Sequence, residues 1–545
     1  VRRRGTRPLP ALWISFSVYK GYKKDRQQRK LELIEDVLIF AMAFCFMRGG
    51  GLVFFLSFFY ITVMLEMQDL SNKTVYMLGI KGTGMAALAE ILVSFGAKVL
   101  GSDVSDEFYT DAVLKKIGVE VRTPFSVQNV TGLQPDLVVY STAYNEANNE
   151  EFAQLKKDKI PLLSYNEALG ELSQNRFSCG VAGVHGKTST TAMVGTILKE
   201  LNLDATVLTG SAVSNFDGSC TMRNGSKYFV AETCEYKRHF LKFFPKKIIL
   251  TGVESDHEDY YPTYEDILTA FMQYVERLPQ FGELIYCADD KGAKEVASYI
   301  FSSRPDLVFT PYGETASGEF AVKSISVKDG KQIFSLSGFA GDFTIRIPGK
   351  HNVLNAAAAI ALTVEILRHK NGSLSVEDIG KIRAGLASYA GVKRRSEIVG
   401  EAGGVLFIDD YAHHPTAIKT TLAGLKQFYP NRRLIVDFMS HTYSRTKALL
   451  DDFAKAFSDA DNVILNKIYA SAREENDGSV TGETLFDKTK KYHKKVFYFA
   501  EPLDAADFVI SQLKPGDIFV TMGAGDNWKL GREVFNRLNN TTSRN

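Results

Sequence analysis

A lysine and two hydroxyls set just behind a pair of glycines can hold a phosphate chain, and residues 183–189 read Gly183-Val184-His185-Gly186-Lys187-Thr188-Ser189. Glycines let backbone N–H groups come close to phosphate oxygens. The Lys187 amine reaches the outer phosphates, and the Thr188 hydroxyl is of the type that binds Mg2+. The spacing departs from a strict P-loop, because Val181 stands five positions before Gly186, where the first glycine would be. Other chemistry-bearing groups follow apolar runs. Glu232-Thr233-Cys234-Glu235 follows 227–231, and Asp256-His257 follows 248–251. Carboxylate and imidazole beside a triphosphate read as Mg2+ ligands or as groups that position water. Further on stand Asp409-Asp410-Tyr411-Ala412-His413-His414 and Ser440-His441-Thr442-Tyr443-Ser444-Arg445.

Such groups need a scaffold that brings them to one edge. The apolar run 177–181 enters the phosphate loop and a helix-forming run leaves it, so the helix N-terminus adds partial positive charge at the loop. In α/β sheets ligands gather at the carboxyl ends of strands. Glu232 and the Asp256-His257 pair are therefore predicted to converge on the phosphates. Upstream, the run 74–78 leads into Gly79-Ile80-Lys81-Gly82-Thr83-Gly84-Met85, and a second short strand ends at Gly101-Ser102-Asp103. That is a Rossmann-like opening with an acid about 20 positions after the glycines. The glycine spacing is G-x-x-G-x-G, not the dinucleotide pattern, which leaves NAD(P), another nucleotide and a structural turn all open. A later strand, 137–140, ends at Ser141. Residues 320–347 read as a β-meander with Asp329-Gly330 as hairpin turn. His351 and Asn352 open an Ala-rich helix, either as caps or as base contacts. Strands near 405–408, 434–438, 463–465, 496–499 and 518–521 alternate with helices, a further doubly wound unit. The predicted fold class is α/β in three domains, 71–172, 173–390 and 391–545: a Rossmann-like domain, a central P-loop-type ATPase domain with a parallel sheet and a small meander, and a C-terminal Rossmann-like domain.

Composition bounds the rest. Hydrophobic residues at 45% and charged residues at 23% are ordinary for globular domains. Residues 1–66 hold eleven Lys/Arg against five Asp/Glu, net +6, so a chain at +2 leaves −4 on the body and no basic nucleic-acid footprint. Five scattered cysteines without a C-x-x-C pair fit reduced thiols in a cytoplasmic protein. Residues 1–70 form an extension. Its apolar stretches 37–47 and 52–64 are each too short to cross a bilayer, and Arg48-Gly49-Gly50-Gly51 separates them. A translation start near Met67 is one reading and a membrane anchor over 37–64 another. The working expectation is that residues 1–66 contribute nothing to fold or catalysis.

These motifs resemble the Mur ligase family over roughly 71–540: G-x-x-G-x-G-M at 79–85, G-x-H-G-K-T at 183–188, E-x-C-E-Y at 232–236, E-x-D-H-x-D at 254–259, P-G-K-H-N-x-x-N at 348–355, D-D-Y-A-H-H-P at 409–415 and H-T-Y-S-R-T at 441–446. The resemblance implies an ATP- and Mg2+-dependent ligase that joins L-alanine to UDP-N-acetylmuramate. The first domain would take the UDP-sugar rather than NAD, through Gly79, Gly82, Thr83, Gly84, Met85, Ser102, Asp103 and Ser141. ATP would lie on 183–189, with His351, Asn352 and Asn355 at the adenine and Asp410 and Tyr411 at the ribose. Thr188, Glu232 and His257 would surround the metal. Arg394, Arg395 and His413 would meet substrate, and His441 and Arg445 would face the reaction centre beside Lys187. Gly252, Lys237 and Ser396 depart from the common pattern, which more often has Asn, an acid and an aromatic there. A related ligase that adds a preformed peptide is the alternative within the class. A dehydrogenase or a non-catalytic nucleotide switch is the alternative outside it. A monomer or homodimer is expected. Lys187, read as an exposed loop residue, is expected to be dispensable for folding.

Overall fold

The computed structural model describes residues 70–470 and 478–542. The expectations for residues 1–66 lie outside the described residues. Among the described residues no helix is long and apolar enough to cross a membrane.

The first sheet is entirely parallel. It contains β1 (Thr74–Leu78), β2 (Lys98–Ser102), β3 (Glu120–Arg122), β4 (Leu137–Tyr140) and β5 (Leu162–Ser164), in the order β3-β2-β1-β4-β5. Val75, Tyr76, Met77 and Leu78 are all fully buried, as expected of a parallel strand covered on both faces. The chain reverses its winding between β1 and β4. The loop after β1, which carries Gly79–Met85 into the helix Thr83–Ser94, therefore lies at the switch point.

The second sheet runs β12-β11-β10-β6-β9-β7-β8. Its members are β6 (Phe177–Ala182), β7 (Ala205–Leu208), β8 (Thr221–Arg223), β9 (Tyr228–Glu232), β10 (Lys247–Leu250), β11 (Glu283–Cys287) and β12 (Val308–Tyr312). Only β8 is antiparallel to its neighbour. β6 pairs with β9 on one side and β10 on the other, so the phosphate loop emerges between the loop bearing Glu232 and the loop bearing Asp256-His257. Behind the loop, the helix Lys187–Glu200 packs on the helices Lys350–Asn371 and Val376–Ser388. Ala356 to Ala359 and Ala361 are completely buried there, their small side chains allowing close approach. The meander appears as predicted: β13 (Val322–Lys328), β14 (Lys331–Leu336) and β15 (Phe343–Ile345) are antiparallel. Asp329 and Gly330 both have positive φ, as a tight hairpin turn demands.

The third sheet runs β16-β17-β21-β18-β19-β20. It comprises β16 (Glu397–Ala402), β17 (Val405–Asp410), β18 (Leu434–Met439), β19 (Asn462–Leu465), β20 (Val496–Tyr498) and β21 (Ile518–Gly523). β21 lies between β17 and β18, which sets the three polar strand ends at 409–410, 440 and 523 side by side. β16, an antiparallel edge strand joined to β17 through Gly403-Gly404, was not among the predicted strands.

Candidate active site

The loop after β6 keeps its shape because two positions exclude side chains. Gly183 has φ +133°, and a Cβ there would lie 2.1 Å from Thr251 Oγ1. Gly186 has φ +82°, and its Cβ would lie 2.6 Å from Asn355 Oδ1. Gly183→Ala is expected to distort the loop at a cost of about 1–3 kcal/mol. The thermal midpoint and the KM for ATP should both worsen. An unchanged KM would show that the loop tolerates the added carbon.

A cavity of about 760 Å3 lies between the ends of the second and third sheets. From the phosphate loop, Val184, His185, Gly186, Lys187, Thr188 and Ser189 line it. Glu232 and His257 join them from the flanking loops, and His351, Asn352 and Asn355 from the start of the Ala-rich helix. Arg395, Asp410, Tyr411, His413, His441 and Arg445 close it from the third sheet. Residues predicted from separate motifs over more than 250 positions thus meet around one space.

Within it runs a row of alternating charges. Lys187 Nζ donates to Glu235 at 3.0 Å, with the other carboxylate oxygen at 2.8 Å. His257 Nε2 lies 3.3 Å from Glu235 and 3.9 Å from Asp256. Arg445 Nε and Nη2 donate to Asp256 at 3.1 and 2.6 Å, and Nη1 donates to the His441 carbonyl at 2.8 Å. Lys187 is therefore not the exposed loop residue expected: its side chain is 13% exposed and faces the buried Glu235. Burial alone would pull the Lys187 amine down, but Glu235 outweighs it and holds the group above its usual range. Burial would push Glu235 and Asp256 up, yet Lys187 and His257 hold the first below the carboxylate range, and Arg445 holds the second far below it. Burial disfavours the His257 imidazolium, but Glu235 and Asp256 win and raise it.

A raised histidine contributes stability that is complete below its unfolded value, about 6.5, and is lost as pH rises through the folded value. The lowered carboxylates act oppositely, losing their contribution as pH falls below about 4. The thermal midpoint of the wild type is thus expected to decline on the alkaline side, and His257→Gln should flatten that decline. Parallel pH profiles for the two proteins would dismiss the charged histidine.

Asp256 lies at the cavity with His257, as the strand-end pattern predicts, whereas nothing in the sequence assigned a role to Glu235. Glu232, the acid at the strand end, drew the metal assignment. It lines the cavity and accepts from the Gly210 N–H at 2.8 Å. The departures from the family pattern have local explanations. A Cβ on Gly252 would sit 3.0 Å from Asp290 Oδ2, whose carboxylate fills that space. Lys237 and Arg238 both adopt left-handed backbone, in the short turn that follows Glu235. Ser396 donates through its N–H (2.6 Å) and Oγ (3.1 Å) to Asp410, clamping that carboxylate.

Other predicted residues stand differently. Asn352 does not cap its helix; its side chain donates to the Pro348 carbonyl at 2.8 Å. Asn355 donates to Asn352 at 3.2 Å. Burial holds His351 below the usual histidine range, and burial followed by Arg445 drives His413 well below it. His413 Nδ1 donates to the Tyr411 carbonyl at 2.8 Å. The Arg394 guanidinium is spent inside the third sheet, on Asp409 (3.1 Å) and the Gly523 carbonyl (2.8 Å), so it is a strand-end tie rather than a cavity group. The loop of the first sheet lies outside this cavity's lining. There Gly79 has φ +81°, Gly82 caps the helix, and Thr83 Oγ1 accepts from Tyr109 at 3.0 Å. A Cβ on Gly84 would press on the Tyr165 ring, and Met85 is buried. Asp103 is buried and accepts from the Lys81 N–H at 2.6 Å. Ser141 closes β4 onto β1 through its N–H. Ser102 is fully buried and bonds to the buried Glu151, so its hydroxyl secures the strand end rather than facing a ligand.

Comparison with known proteins agrees with this architecture. Residues 74–177 match the Mur ligase family catalytic domain, 181–363 the Mur ligase middle domain, and 394–525 the Mur ligase glutamate ligase domain. The UDP-N-acetylmuramate–L-alanine ligase of Treponema pallidum is 56% identical over 469 residues, 86% of this chain and 97% of that one. The crystal structure of UDP-N-acetylmuramate–alanine ligase from Thermotoga maritima superposes with a TM-score of 0.69 at 25% identity, covering 87% of this chain and all of that one. A murein peptide ligase from Psychrobacter arcticus shares the fold, with a TM-score of 0.60 at 24% identity over 86% and 99% of the two chains. With three family domains matched in order and a relative this close along the body of the chain, the protein belongs to the Mur ligase family.

Proposed function

We propose that this protein is an ATP-dependent amide ligase that joins L-alanine to the carboxylate of UDP-N-acetylmuramate through an acyl phosphate. The observation that carries the reading is the single cavity, walled on one side by a phosphate loop and on the other by the His- and Arg-bearing strand ends of the third sheet. The name of the close Treponema relative supports L-alanine over a preformed peptide. The first-sheet loop at Gly79–Met85 is the proposed seat of the UDP-sugar.

A carboxylate is a poor acyl donor because its leaving group would be oxide. Transfer of the γ-phosphoryl group to it makes the leaving group phosphate. The alanine amine then attacks the acyl carbon, and phosphate departs from the tetrahedral adduct. Negative charge builds on phosphoryl oxygens in the first step and on the acyl oxygen in the second. Lys187 at the loop and Arg445 opposite are fixed cations in a largely buried setting, where such charge is stabilised most. Their carboxylate partners hold them in place before substrate arrives. The Thr188 hydroxyl and the Glu232 carboxylate are hard oxygen donors on the same wall, with His257 beside them, a set that suits Mg2+. When bound there the ion would neutralise phosphate oxygens. Enclosure between two sheets excludes water that would hydrolyse the acyl phosphate.

The test is phosphate release measured with each substrate omitted in turn. Release requiring both UDP-N-acetylmuramate and L-alanine is expected. Equal turnover with a tripeptide in place of alanine would favour the peptide-adding relative, and release without any amine would sink the ligase reading.

A further inference from the structure

At one end of this region three residues from separate segments converge: His185 of the phosphate loop, Glu254 from the loop after β10, and His414, the N-cap of the helix Pro415–Phe428. One ligand atom of each lies within 4.8 Å of the other two. His185 Nε2 touches Glu254 Oε1, and His414 Nδ1 stands 3.6 Å from that same oxygen. The second separation is too long for a hydrogen bond. His414 Nδ1 instead accepts the N-cap hydrogen bond from the Thr416 N–H at 3.3 Å, which leaves Nε2 as its available ligand atom. The imidazole rings are 5.2 Å apart and inclined at 50°, so they are not stacked on each other. His414 Nε2 is buried without a hydrogen-bond partner among the described residues, while His185 Nε2 and Glu254 Oε1 face each other. His414 as a whole is 5% exposed. Buried polar atoms without partners are uncommon, and one set beside an imidazole–carboxylate contact calls for an explanation. Glu254 Oε2 accepts from Thr416 Oγ1 at 3.0 Å, the kind of outer hydrogen bond that orients a ligating carboxylate.

We propose that His185, Glu254 and His414 form a binding site for a borderline divalent ion of the Zn2+ type, separate from the oxygen-rich positions at Thr188 and Glu232. Two imidazoles and one carboxylate suit Zn2+ and its neighbours, whereas Mg2+ takes oxygen ligands. The ion would join two domains beside the cavity, since His185 and Glu254 belong to the second sheet's segment and His414 to the third's. It would thus clasp the phosphate loop to the third sheet, and separating them would require its release. Bound Zn2+ is therefore expected to slow any turnover that needs the two domains to part. The metal site itself does not depend on the ligase reading.

The test is Zn2+ binding to the full chain in excess Mg2+, by competition with a chromophoric chelator, together with the visible absorption of the Co2+ form. Wild type should bind one ion per chain and give the spectrum of a four-coordinate Co2+ centre. Glu254→Gln and His414→Gln should each weaken Zn2+ at least tenfold and abolish that spectrum, while Glu232→Gln leaves both unchanged. Zn2+ should also raise the thermal midpoint of wild type but not of Glu254→Gln, a readout that reports at once whether the variant is folded. If His414→Gln fails to fold, Glu254→Gln decides alone. No stoichiometric binding overturns the proposal. So does binding that survives in Glu254→Gln, or binding that disappears in Glu232→Gln.

Discussion

Lys187→Ala is expected to remove turnover and to destabilise the protein, and Glu235→Gln in the same chain is expected to restore the stability without the activity. The lysine has two duties. Towards the proposed nucleotide it is the phosphate-loop cation, and loss of one such stabilising group costs roughly 10²–10³-fold in rate or more. Towards the protein it neutralises Glu235, which is almost wholly buried. Breaking a buried pair by removing one member costs about 3–5 kcal/mol, because a charge is left without compensation. The lower end applies here, since His257 still faces Glu235 and the carboxyl can take up a proton. Neutral Gln removes that charge, so the double variant should denature close to wild type while phosphate release stays at background. Denaturant midpoints for the single and double variants, beside a phosphate-release assay, measure both duties. A Lys187→Ala protein as stable as wild type would show that Glu235 needs no partner.

The second large effect belongs to Asp256 and Arg445, and it is asymmetric. Arg445 is 5% exposed and its guanidinium does not lose its proton in proteins. Asp256→Ala therefore leaves a buried cation whose remaining hydrogen bond among the described residues is to the His441 carbonyl, at a cost of about 3–5 kcal/mol. Arg445→Ala should cost less, because Asp256 keeps His257 nearby and can protonate. Both should lower turnover by about 10²-fold. Arg445→Lys should not rescue, since one ammonium cannot serve Asp256 from two nitrogens and the carbonyl as well. A double-mutant cycle should give a coupling within the 0.5–3 kcal/mol seen for contacting residues. Additive single effects would mean that the contact carries no energy.

Much of this was written plainly in the chain. Apolar runs ending in glycine, acid or histidine marked β1, β6, β10, β17, β18 and β21, and parallel sheets oblige such ends to share an edge. The meander turn was legible from Asp329-Gly330. What escaped depended on distant capture or on unusual backbone. Ser102 looks like any polar strand end until Glu151, 49 positions later, takes its hydroxyl. Glu235 was hidden because its partner Lys187 lies 48 positions away, and the turn after it runs through two successive left-handed residues, Lys237 and Arg238, neither of them glycine. Such φ values are uncommon for long side chains, and no propensity announces them. β16 escaped because Ile398 is half exposed and the strand carries no clean alternation. Arg394 and Arg395 are chain neighbours with opposite fates, one tied inward and one lining the cavity. Adjacent basic residues do not reveal which of them turns in.

The row from Lys187 to Arg445 also bears on modularity. Four of its five members belong to the second sheet's segment and the fifth arrives with the third, so neither segment is electrically complete alone. The third segment cannot be exchanged freely between relatives, as a cassette could. A donor that lacks the guanidinium would leave Asp256 to His257 alone, and a recipient that lacks the carboxylate would strand the arginine. Hybrid proteins should therefore sort by whether this one pair is rejoined across the splice, more than by their overall identity. Hybrids with the pair intact that still melt as early as those without it would refute that ordering.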